Sequence, residues 1–449
     1  MGRLFGTDGV RGIANEELTP ELAFSLGKAG AYVLSRQSEK PLFLIGMDTR
    51  ISGDMLESAI SAGINSVGGD VIRIGVLPTP AIAYLVRYYN ADAGIVISAS
   101  HNPFEYNGIK FFNNKGFKLD DQIEDEIEDI IVRNRDVNNH VIGAKLGRSQ
   151  AADENALELY ARFLESTVDL DLTGIKIVLD CANGASYQVA EKVYTDLGAN
   201  VVVIGNTPNG LNINDKCGST HPERLQKKVL EEHAFIGLAF DGDADRLIAV
   251  DENGELIDGD KLICICARRL KEEGKLPGDM VTATVMSNLG FHKYIESIGC
   301  KVEVTGVGDR YVLESMLKTG CAIGGEQSGH IIFLEHTTTG DGIMSSLQVL
   351  DSIIKSGQKP SEASAEIQIF PQVLVNAKVA NDNKNKYEDD EEVCEAIRQA
   401  EESMAGEGRV LIRPSGTEPL VRVMLEGQDV DKIEKIAQDI AKLMTEKFA

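Results

Sequence analysis

Ser100 is the residue of this chain best placed to act as a nucleophile. It lies in the polar segment 97–103, directly after the apolar run 93–97, and His101 and Lys110 are near it in sequence. A serine hydroxyl reacts poorly at neutral pH unless a base, a metal or neighbouring cations assist it. The segment therefore predicts a serine that carries a phosphoryl group. An ordinary turn after a strand, which Ser, Asn and Pro also favour, is the alternative.

Three aspartates at alternate positions predict a site for a divalent metal. They lie in a short loop between two apolar segments: Asp241, Asp243 and Asp245. Oxygen ligands of this kind suit Mg²⁺ or Mn²⁺. A calcium-binding EF-hand loop is the rival interpretation, because Glu252 is the twelfth residue counted from Asp241. That interpretation fails at the sixth position, where Arg246 stands in place of the required glycine.

A third polar loop, residues 324–330, combines three groups that contact sugars in proteins. They are the carboxylate of Glu326, the hydroxyl of Ser328 and the imidazole of His330. Such groups suit sugar hydroxyls and proton transfer. A buried, hydrogen-bonded structural histidine is the alternative for His330.

A fourth loop, residues 413–419, supplies the donors that a phosphate group needs. Arg413 and the nearby Arg422 are cations, and further donors come from hydroxyls and from a backbone opened by glycine: Ser415, Gly416 and Thr417. Bidentate arginine and convergent N–H groups are typical of phosphate sites. A hairpin turn rich in Pro and Gly is the alternative.

Two arginines lie in segments with weaker signals. Arg11 belongs to the glycine-rich segment 5–12, which could place one cation beside a phosphate. Arg50 follows Asp48 by two residues, and we expect it to pair with Asp48 or with another acidic neighbour.

The composition limits the classes of partner. The chain has 449 residues, which is too long for one hydrophobic core, and its net charge is -25. An acidic surface repels nucleic acid and anionic lipid, so we expect neither nucleic acid nor membrane as a partner.

The seven cysteines lack disulfide or metal-ligand spacing, which is typical of a reducing compartment. No apolar run reaches about 18 residues, so the sequence predicts a soluble, cytoplasmic protein.

The elements that must position these loops recur three times along the chain. Each copy is an apolar strand, a polar loop, an amphipathic helix and a second strand preceded by glycine, and the copies span residues 42–75, 175–205 and 280–306. Alternating strands and helices predict crossover connections and largely parallel sheets with helices on both faces.

The pattern changes after residue 368. Residues 373–379, 410–413 and 420–425 are predicted strands, and apolar residues recur at helical spacing from Val430 to Met444. The fold class is therefore α/β, with three related α/β domains of mixed, largely parallel sheets and a C-terminal α+β domain. The expected domains carry the serine, metal, sugar and phosphate loops in turn and span residues 1–158, 159–257, 258–368 and 369–449.

Taken together, five motifs resemble those of the α-D-phosphohexomutase family. They occur in the family's order over nearly the whole chain: residues 7–12, 98–103, 241–246, 325–330 and 413–419. The resemblance implies four domains arranged around a central active-site cleft. It also implies an isomerase that transfers a phosphoryl group between two oxygens of a sugar phosphate.

The resemblance assigns a role to each motif. Ser100 matches the phosphoserine, which holds one Mg²⁺ per chain together with Asp241, Asp243 and Asp245. The residues implied around the reacting hydroxyl are Arg11, Lys110, His101 and His330, with His330 as a proton carrier. The residues implied in substrate binding are Glu326, Ser328 and Arg246, and for the distal phosphate Arg413, Ser415, Gly416, Thr417 and Arg422.

Three segments are most similar to family members that act on hexosamine phosphates: residues 209–214, 217–221 and 325–330. They imply interconversion of glucosamine 6-phosphate and glucosamine 1-phosphate, with glucosamine 1,6-bisphosphate as intermediate and activator, on the route to UDP-N-acetylglucosamine and peptidoglycan. The residues alone leave glucose and mannose phosphates open, as in phosphoglucomutase and phosphomannomutase. A metal-dependent sugar phosphatase and a non-catalytic sugar-phosphate sensor are remoter alternatives, and a homodimer stays open.

Overall fold

The computed structural model describes residues 4–6, 8–36, 38–135, 137, 141–152, 155–404, 406–415 and 418–449. The chain divides into two compact units. The first unit consists of Met1–Met286 and Gly299–Ala365, and the second of Ser287–Ile298 and Glu366–Ala449.

A six-stranded mixed sheet forms the beginning of the first unit. Its strands are β1 (Val10–Ile13), β2 (Leu42–Met47), β3 (Asp70–Val76), β4 (Ala93–Ile97), β5 (Tyr106–Asn113) and β6 (Ser149–Ala151). The accompanying helices are α1 (Pro20–Leu34), α2 (Gly53–Ser66), α3 (Thr79–Tyr88), α4 (Asp121–Val132) and α5 (Ala156–Ser166). The strand order is β1-β5-β4-β2-β3-β6, and β2 pairs in parallel with both β3 and β4.

Helices cover both faces of this sheet. Phe43 and Ile45 of β2 belong to the buried cluster that also contains the apolar residues of α1 and α2. Gly46 of the same strand lies against Ile82 of α3, so closely that a Cβ at Gly46 would overlap that side chain. Because successive residues of a strand face opposite sides of a sheet, α3 covers the face opposite to α1 and α2.

Two further sheets complete the first unit. The five-stranded sheet contains β7 (Lys176–Asp180), β8 (Asn200–Ile204), β9 (Ile236–Phe240), β10 (Leu247–Asp251) and β11 (Leu256–Ile257), with α6 (Val189–Asp196) and α7 (Glu223–Glu232). After α8 (Gly259–Glu272), the four-stranded sheet contains β12 (Met280–Thr284), β13 (Lys301–Thr305), β14 (Ile323–Gly325) and β15 (Ile331–Phe333). The helices in this part of the chain are α9 (Leu289–Ser297), α10 (Asp309–Thr319), α11 (Gly342–Ser356) and α12 (Pro360–Ala365). Of these, α9 belongs to the second unit.

The second unit contains an antiparallel sheet and three α-helices among its described residues. They are β16 (Gln372–Lys378), α13 (Glu391–Ser403), β17 (Gly408–Pro414), β18 (Leu420–Gly427), α14 (Val430–Phe448) and, from an earlier part of the chain, α9. Asn288, the N-cap of α9, donates to the carbonyl of Phe370 at 2.9 Å, and the amide of Leu289 donates to Glu426 at 2.9 Å. These bonds explain why α9 belongs to this unit, a grouping that the strand–helix repeat did not predict.

The predicted repeat is confirmed in all three copies, as β2-α2-β3, β7-α6-β8 and β12-α9-β13. Each copy pairs its two strands in parallel. The loops that carry the candidate chemistry follow the carboxyl ends of β4, β9 and β14, which is where α/β sheets bind ligands. Among the described residues, the structure has no helix with the length and apolar content that a membrane crossing requires.

Candidate active site

Ser100 lies in the loop after β4 and is almost fully buried, with 2 % of its surface exposed. Its φ of 51° is in the left-handed region, which costs a non-glycine residue of order 1–3 kcal/mol and persists only where the surroundings enforce it. The Oγ atom of Ser100 donates to Asp241 Oδ2 at 2.5 Å. The structure therefore brings the predicted nucleophile to the predicted metal loop.

Arg50 binds both Asp48 and the backbone of the Ser100 loop. The expected ion pair is confirmed, since Arg50 Nε lies 2.8 Å from Asp48 Oδ2 and both side chains are buried. The remaining N–H groups of the guanidinium donate to four backbone carbonyls of the loop: Ser100, Asn102, Pro103 and Tyr106. Sequence reasoning gave Arg50 only the ion pair, because these four carbonyls lie about fifty residues away in the chain.

The three aspartates converge as predicted. One oxygen from each of Asp241, Asp243 and Asp245 lies within 4.8 Å of the other two, and all three residues are buried. Asp243 Oδ1 and Asp245 Oδ1 have no hydrogen-bond partner among the described residues. Buried carboxylate oxygens without donors are unfavourable unless a cation binds them, so this set fits Mg²⁺, a hard cation that prefers oxygen ligands.

The charges within the triad differ from one aspartate to the next. Burial raises the pKa of Asp241 far above its ordinary value, and the carboxylates of Asp245 and Asp243 raise it further. Burial also raises the pKa of Asp243, but the Lys110 ammonium outweighs this effect and the pKa of Asp243 falls well below its ordinary range. The three carboxylates therefore repel one another. A divalent cation bound to them would offset this repulsion.

Lys110 connects the triad to the N-terminal motif. Its Nζ lies 2.8 Å from Asp243 Oδ2 and 2.9 Å from Asp8 Oδ2, and the residue is 1 % exposed. Burial alone would lower the pKa of Lys110, but Asp243 and Asp8 raise it to about 12. Arg11 forms an ion pair with the same Asp8. Lys110 is therefore charged at neutral pH and contacts the triad directly, and Arg11 is connected to it through Asp8.

His101 is adjacent to the nucleophile. Its Nδ1 lies 3.3 Å from Ser100 Oγ. Burial lowers the pKa of His101 to about 4, and the positive charges of Arg246 and Arg11 act in the same direction. His101 is therefore neutral at pH 7 and can accept a hydrogen bond or a proton at one ring nitrogen.

His330 is buried, and both of its ring nitrogens have neighbours. The backbone amide of Gly340 donates to Nε2 at 3.0 Å, and Nδ1 lies 3.5 Å from Asp245 Oδ2. Burial lowers the pKa of His330, but the carboxylates of Asp245 and Asp309 outweigh it and raise the pKa overall. The amide of Gly340 favours a tautomer with its proton on Nδ1, facing Asp245.

A partly buried ion-pair network that the sequence did not reveal lies beside His330. Lys118 Nζ contacts Asp309 Oδ2 and lies 2.5 Å from Asp8 Oδ1. Burial lowers the pKa of Lys118, but Asp309 and Asp8 outweigh it and hold this pKa well above its ordinary value. Lys118 and Asp309 are separated by 191 positions, and neither belongs to a motif, so no local signal could have paired them.

In the sugar loop, hydrogen bonds from Gly308 and Ser328 hold the side chain of Glu326. Glu326 Oε1 accepts from the amide of Gly308 at 3.1 Å, and Oε2 accepts from Ser328 Oγ at 3.4 Å. Arg246 follows the metal loop, with Nε 3.8 Å from Asp245 Oδ1 and no hydrogen-bond partner for Nε within the described part of the chain. These groups retain hydrogen-bonding capacity for a polar ligand.

The phosphate loop belongs to the second unit. Arg413 and Arg422 are directly opposite each other in the β17–β18 register, and burial together with the charge of Arg422 lowers the pKa of Arg413. Like charges at opposed positions destabilise a sheet unless an anion lies between them. Ser415 accepts from Lys384 through its carbonyl at 2.6 Å, which adds a cation that the sequence did not single out. Gly416 and Thr417 lie outside the described residues.

Four models of one protein family match this chain. They are described as phosphoglucomutase/phosphomannomutase alpha/beta/alpha domain I at residues 2–138, domain II at 158–254, domain III at 258–370 and the C-terminal domain at 374–443. Together they span most of the chain, in the order expected from the sequence motifs.

Individual proteins with the same architecture are also similar over their full lengths. A phosphoglucosamine mutase of Acetivibrio thermocellus is 57 % identical over 449 residues, which is 100 % of both chains. The crystal structure of a phosphoglucomutase/phosphomannomutase family protein from Burkholderia thailandensis has a TM-score of 0.80 at 23 % identity and covers 99 % of this chain and 97 % of that one. An Aspergillus fumigatus N-acetylphosphoglucosamine mutase, crystallised with GlcNAc-6P and magnesium, has a TM-score of 0.72 at 18 % identity, covering 99 % and 96 %.

Proposed function

This chain belongs to the phosphoglucomutase/phosphomannomutase family, and we propose that it interconverts glucosamine 6-phosphate and glucosamine 1-phosphate. The observation that carries an intramolecular phosphoryl transfer is the placement of Ser100 Oγ 2.5 Å from a triad of buried aspartates. The choice of glucosamine rests on the full-length similarity to a phosphoglucosamine mutase. Such an enzyme is an isomerase.

In this proposal, Ser100 carries the phosphoryl group that the enzyme transfers. The bond between phosphorus and Ser100 Oγ breaks as a bond forms from the free sugar hydroxyl to the same phosphorus, and the hydroxyl proton passes to a base. The product of this half-reaction is glucosamine 1,6-bisphosphate. Return of the other phosphoryl group to Ser100 restores the enzyme and releases the isomer.

The residues around Ser100 have the charges that such a transfer needs. Lys110 and Arg11 are cations that stabilise negative charge on the transferring oxygens. His101 is neutral and 3.3 Å from Ser100 Oγ, so it can exchange a proton with that oxygen; His330 remains the proposed proton carrier for the sugar hydroxyl. Mg²⁺, when held by Asp241, Asp243 and Asp245, would neutralise phosphoryl oxygens and favour departure of the serine oxygen.

The substrate contacts are assigned by role. Glu326, Ser328 and Arg246 are proposed to bind the sugar and its reacting end. The phosphate that is not reacting is proposed to bind the second unit, at Arg413, Ser415, Gly416, Thr417 and Arg422. A fixed site for this phosphate would let one catalytic centre serve both half-reactions.

An assay with three substrates tests the proposal. Purified enzyme with Mg²⁺ and a catalytic amount of hexose 1,6-bisphosphate is supplied with the 6-phosphates of glucosamine, glucose and mannose in turn. We expect conversion of glucosamine 6-phosphate to its 1-phosphate to have the highest kcat/KM. Preference for glucose or mannose would instead assign phosphoglucomutase or phosphomannomutase activity, and release of inorganic phosphate would indicate a phosphatase.

Three further properties follow the same proposal. The four domains are taken to span residues 1–158, 159–257, 258–368 and 369–449. The enzyme is taken to act in the cytoplasm, in agreement with its free cysteines, of which the six other than Cys394 are buried. A homodimer remains a prediction, which sedimentation equilibrium would test.

A further inference from the structure

The segment 205–221 of the first unit has no role in the chemistry described above, although the sequence shares two of its motifs with hexosamine-phosphate enzymes. Its path is fixed by a turn after β7 in which Ala182 and Asn183 both have left-handed backbones, with φ of 53° and 49°. Asn183 accepts from the amide of Thr207 at 3.1 Å and donates to the carbonyl of Asn212 at 3.1 Å. The amide of Asn214 donates to the carbonyl of Ala182 at 2.9 Å.

Asn214 extends from this segment to the Ser100 loop. Its Nδ2 donates to the carbonyl of Ser100 at 2.9 Å and to the carbonyl of Asn102 at 3.0 Å. Arg50 Nη2 donates to the same two carbonyls, at 2.8 Å and 2.9 Å. Each carbonyl thus accepts two hydrogen bonds, one from the sheet that carries Ser100 and one from the domain that carries the aspartates.

The metal loop packs against the same point. A Cβ at Gly242 would lie 2.5 Å from the Ser100 carbonyl oxygen and 2.8 Å from Asn214 Nδ2. Only glycine therefore allows the loop between Asp241 and Asp243 to approach so closely. The amide side of Ser100 is held as well, because its N–H donates to Ser98 Oγ at 3.0 Å.

We infer that Asn214 and Arg50 are positioning residues, which clamp the carbonyls of Ser100 and Asn102 and so hold Ser100 Oγ in register with the aspartate triad. The inference rests on the proposed function, because it concerns the serine that is to be phosphorylated. The left-handed backbone of Ser100 is unfavourable by itself, and four donated hydrogen bonds oppose its relaxation. Misplacement of a reacting atom by about 1 Å can lower a rate by about 100-fold.

Asn214 allows a sharper test than Arg50, whose removal would leave Asp48 buried and unpaired. The φ of Asn214 is 60°, which both aspartate and glycine tolerate. Asn214→Asp keeps the shape but cannot donate, and Asn214→Gly removes the side chain. Asn212→Ala is the matched control, because it removes loop hydrogen bonds to Thr207 and Asn209 but no contact with the Ser100 loop.

We expect both Asn214 variants to lower kcat for glucosamine 6-phosphate by about 10- to 100-fold, with KM within about twofold of wild type. Asn212→Ala should lower the melting temperature and leave kcat within about twofold. Phosphorylation of Ser100 by a sugar bisphosphate, followed as a mass increase of about 80 Da, should slow by a similar factor in the Asn214 variants.

Wild-type kcat in both Asn214 variants, a change confined to KM, or an equal loss of kcat in Asn212→Ala would overturn the inference. If the wild type does not interconvert the two phosphates, the proposed function is wrong. The phosphorylation rate of Ser100 then still decides whether Asn214 positions it.

Discussion

At the scale of single residues, the proposed reaction depends most directly on Ser100. Ser100→Ala should lower kcat by at least about 1000-fold, since it removes the oxygen that is proposed to carry the phosphoryl group. Intact-protein mass spectrometry should find about 80 Da on the wild type and none on this variant. Ser98→Ala, which changes the other buried hydroxyl of the loop, should retain the added mass; its absence there, with the mass kept in Ser100→Ala, would assign the phosphoryl group to Ser98.

Asp243 tests whether the triad binds a metal. Asp243→Asn should weaken Mg²⁺ binding by at least about tenfold, because it removes one of three anionic ligands. Asp251→Asn is the control: Asp251 is buried at the opposite end of the β9–β10 strand pair, opposite Ile236, and its Oδ1 accepts from the amides of Asn253 and Glu255, a role that an asparagine oxygen can keep. Calorimetric titration with Mg²⁺ measures both, and equal affinities in the two variants would make the aspartate loop structural.

The residues that the sequence predicted share one property, which is a local pattern. Ser100 and the three aspartates lie in short polar segments between apolar strands, and the arginines Arg413 and Arg422 lie in the two strands that flank such a segment. The contacts that it missed join segments far apart in the chain: Arg50 and Asn214 through backbone carbonyls, and Lys118 with Asp309 through a partly buried ion pair. A backbone carbonyl carries no sequence signal, so its donor could be found only once the fold brought the two segments together.

At the scale of elements, a buried carboxyl group at the N-terminus of α11 should make the stability of the protein depend on pH. Asp341 is the N-cap: Oδ1 accepts from the amide of Met344 at 2.9 Å, and Tyr160 donates to Oδ2 at 2.7 Å. Burial raises the pKa of Asp341 to about 6, whereas an unfolded aspartate has a pKa of about 3.9. Between about pH 4 and 6 the folded protein therefore binds more protons than the unfolded chain, and the contribution of Asp341 to stability falls as the pH rises.

Asp341→Asn should remove this dependence, because asparagine is an equally good N-cap and does not titrate. Relative to wild type, the free energy of unfolding in urea should increase by about 2 to 3 kcal/mol at pH 8 and by less at pH 5. Asp390→Asn at the N-cap of α13 is the control, since its hydrogen bond to Lys447 lowers the pKa of Asp390, so this substitution should give no stabilisation at pH 8. A pH-independent difference for Asp341→Asn would contradict the argument.

The strands and helices were predictable where the same strand–helix–strand unit recurs along the chain. The three copies have the predicted strands because their apolar runs are long enough to be buried and a glycine precedes the second strand. The grouping of α9 with the second unit was not predictable, because it depends on Asn288 and Glu426, two polar residues separated by 138 positions. Polar contacts of this kind leave no periodic pattern in the sequence.

At the scale of the whole molecule, an acidic protein concentrates its cations where an anion is to bind. The net charge is -25, yet Lys110 and Lys118 are both largely buried among carboxylates. In the second unit, Arg413 and Arg422 lie directly opposite each other on neighbouring strands. The overall charge followed from composition, whereas the location of the cations required the fold.

The last prediction concerns Arg422 and the phosphate that does not react. Arg422 pairs with the exposed Glu418 at 3.3 Å, and because solvent weakens such a surface ion pair, a phosphate can compete for the guanidinium. Because a charged hydrogen bond contributes roughly 1.5–3 kcal/mol, Arg422→Ala should raise KM for glucosamine 6-phosphate by about tenfold or more. An intermediate that must be retained while it reorients should also escape more often, so more bisphosphorylated sugar should appear in solution per turnover.

Arg398→Ala is the matched control for this prediction, because Arg398 is an exposed arginine of the same unit that pairs with Glu395 and Glu402 on its own helix. Chromatography of phosphorus-labelled glucosamine phosphates during turnover measures the released bisphosphate directly. Arg398→Ala should match wild type in both KM and release. If Arg422→Ala also matches wild type in both, then Arg422 only balances the acidic surface, and retention of the intermediate must depend on other donors of the phosphate loop, with Arg413 and Ser415 the next to substitute.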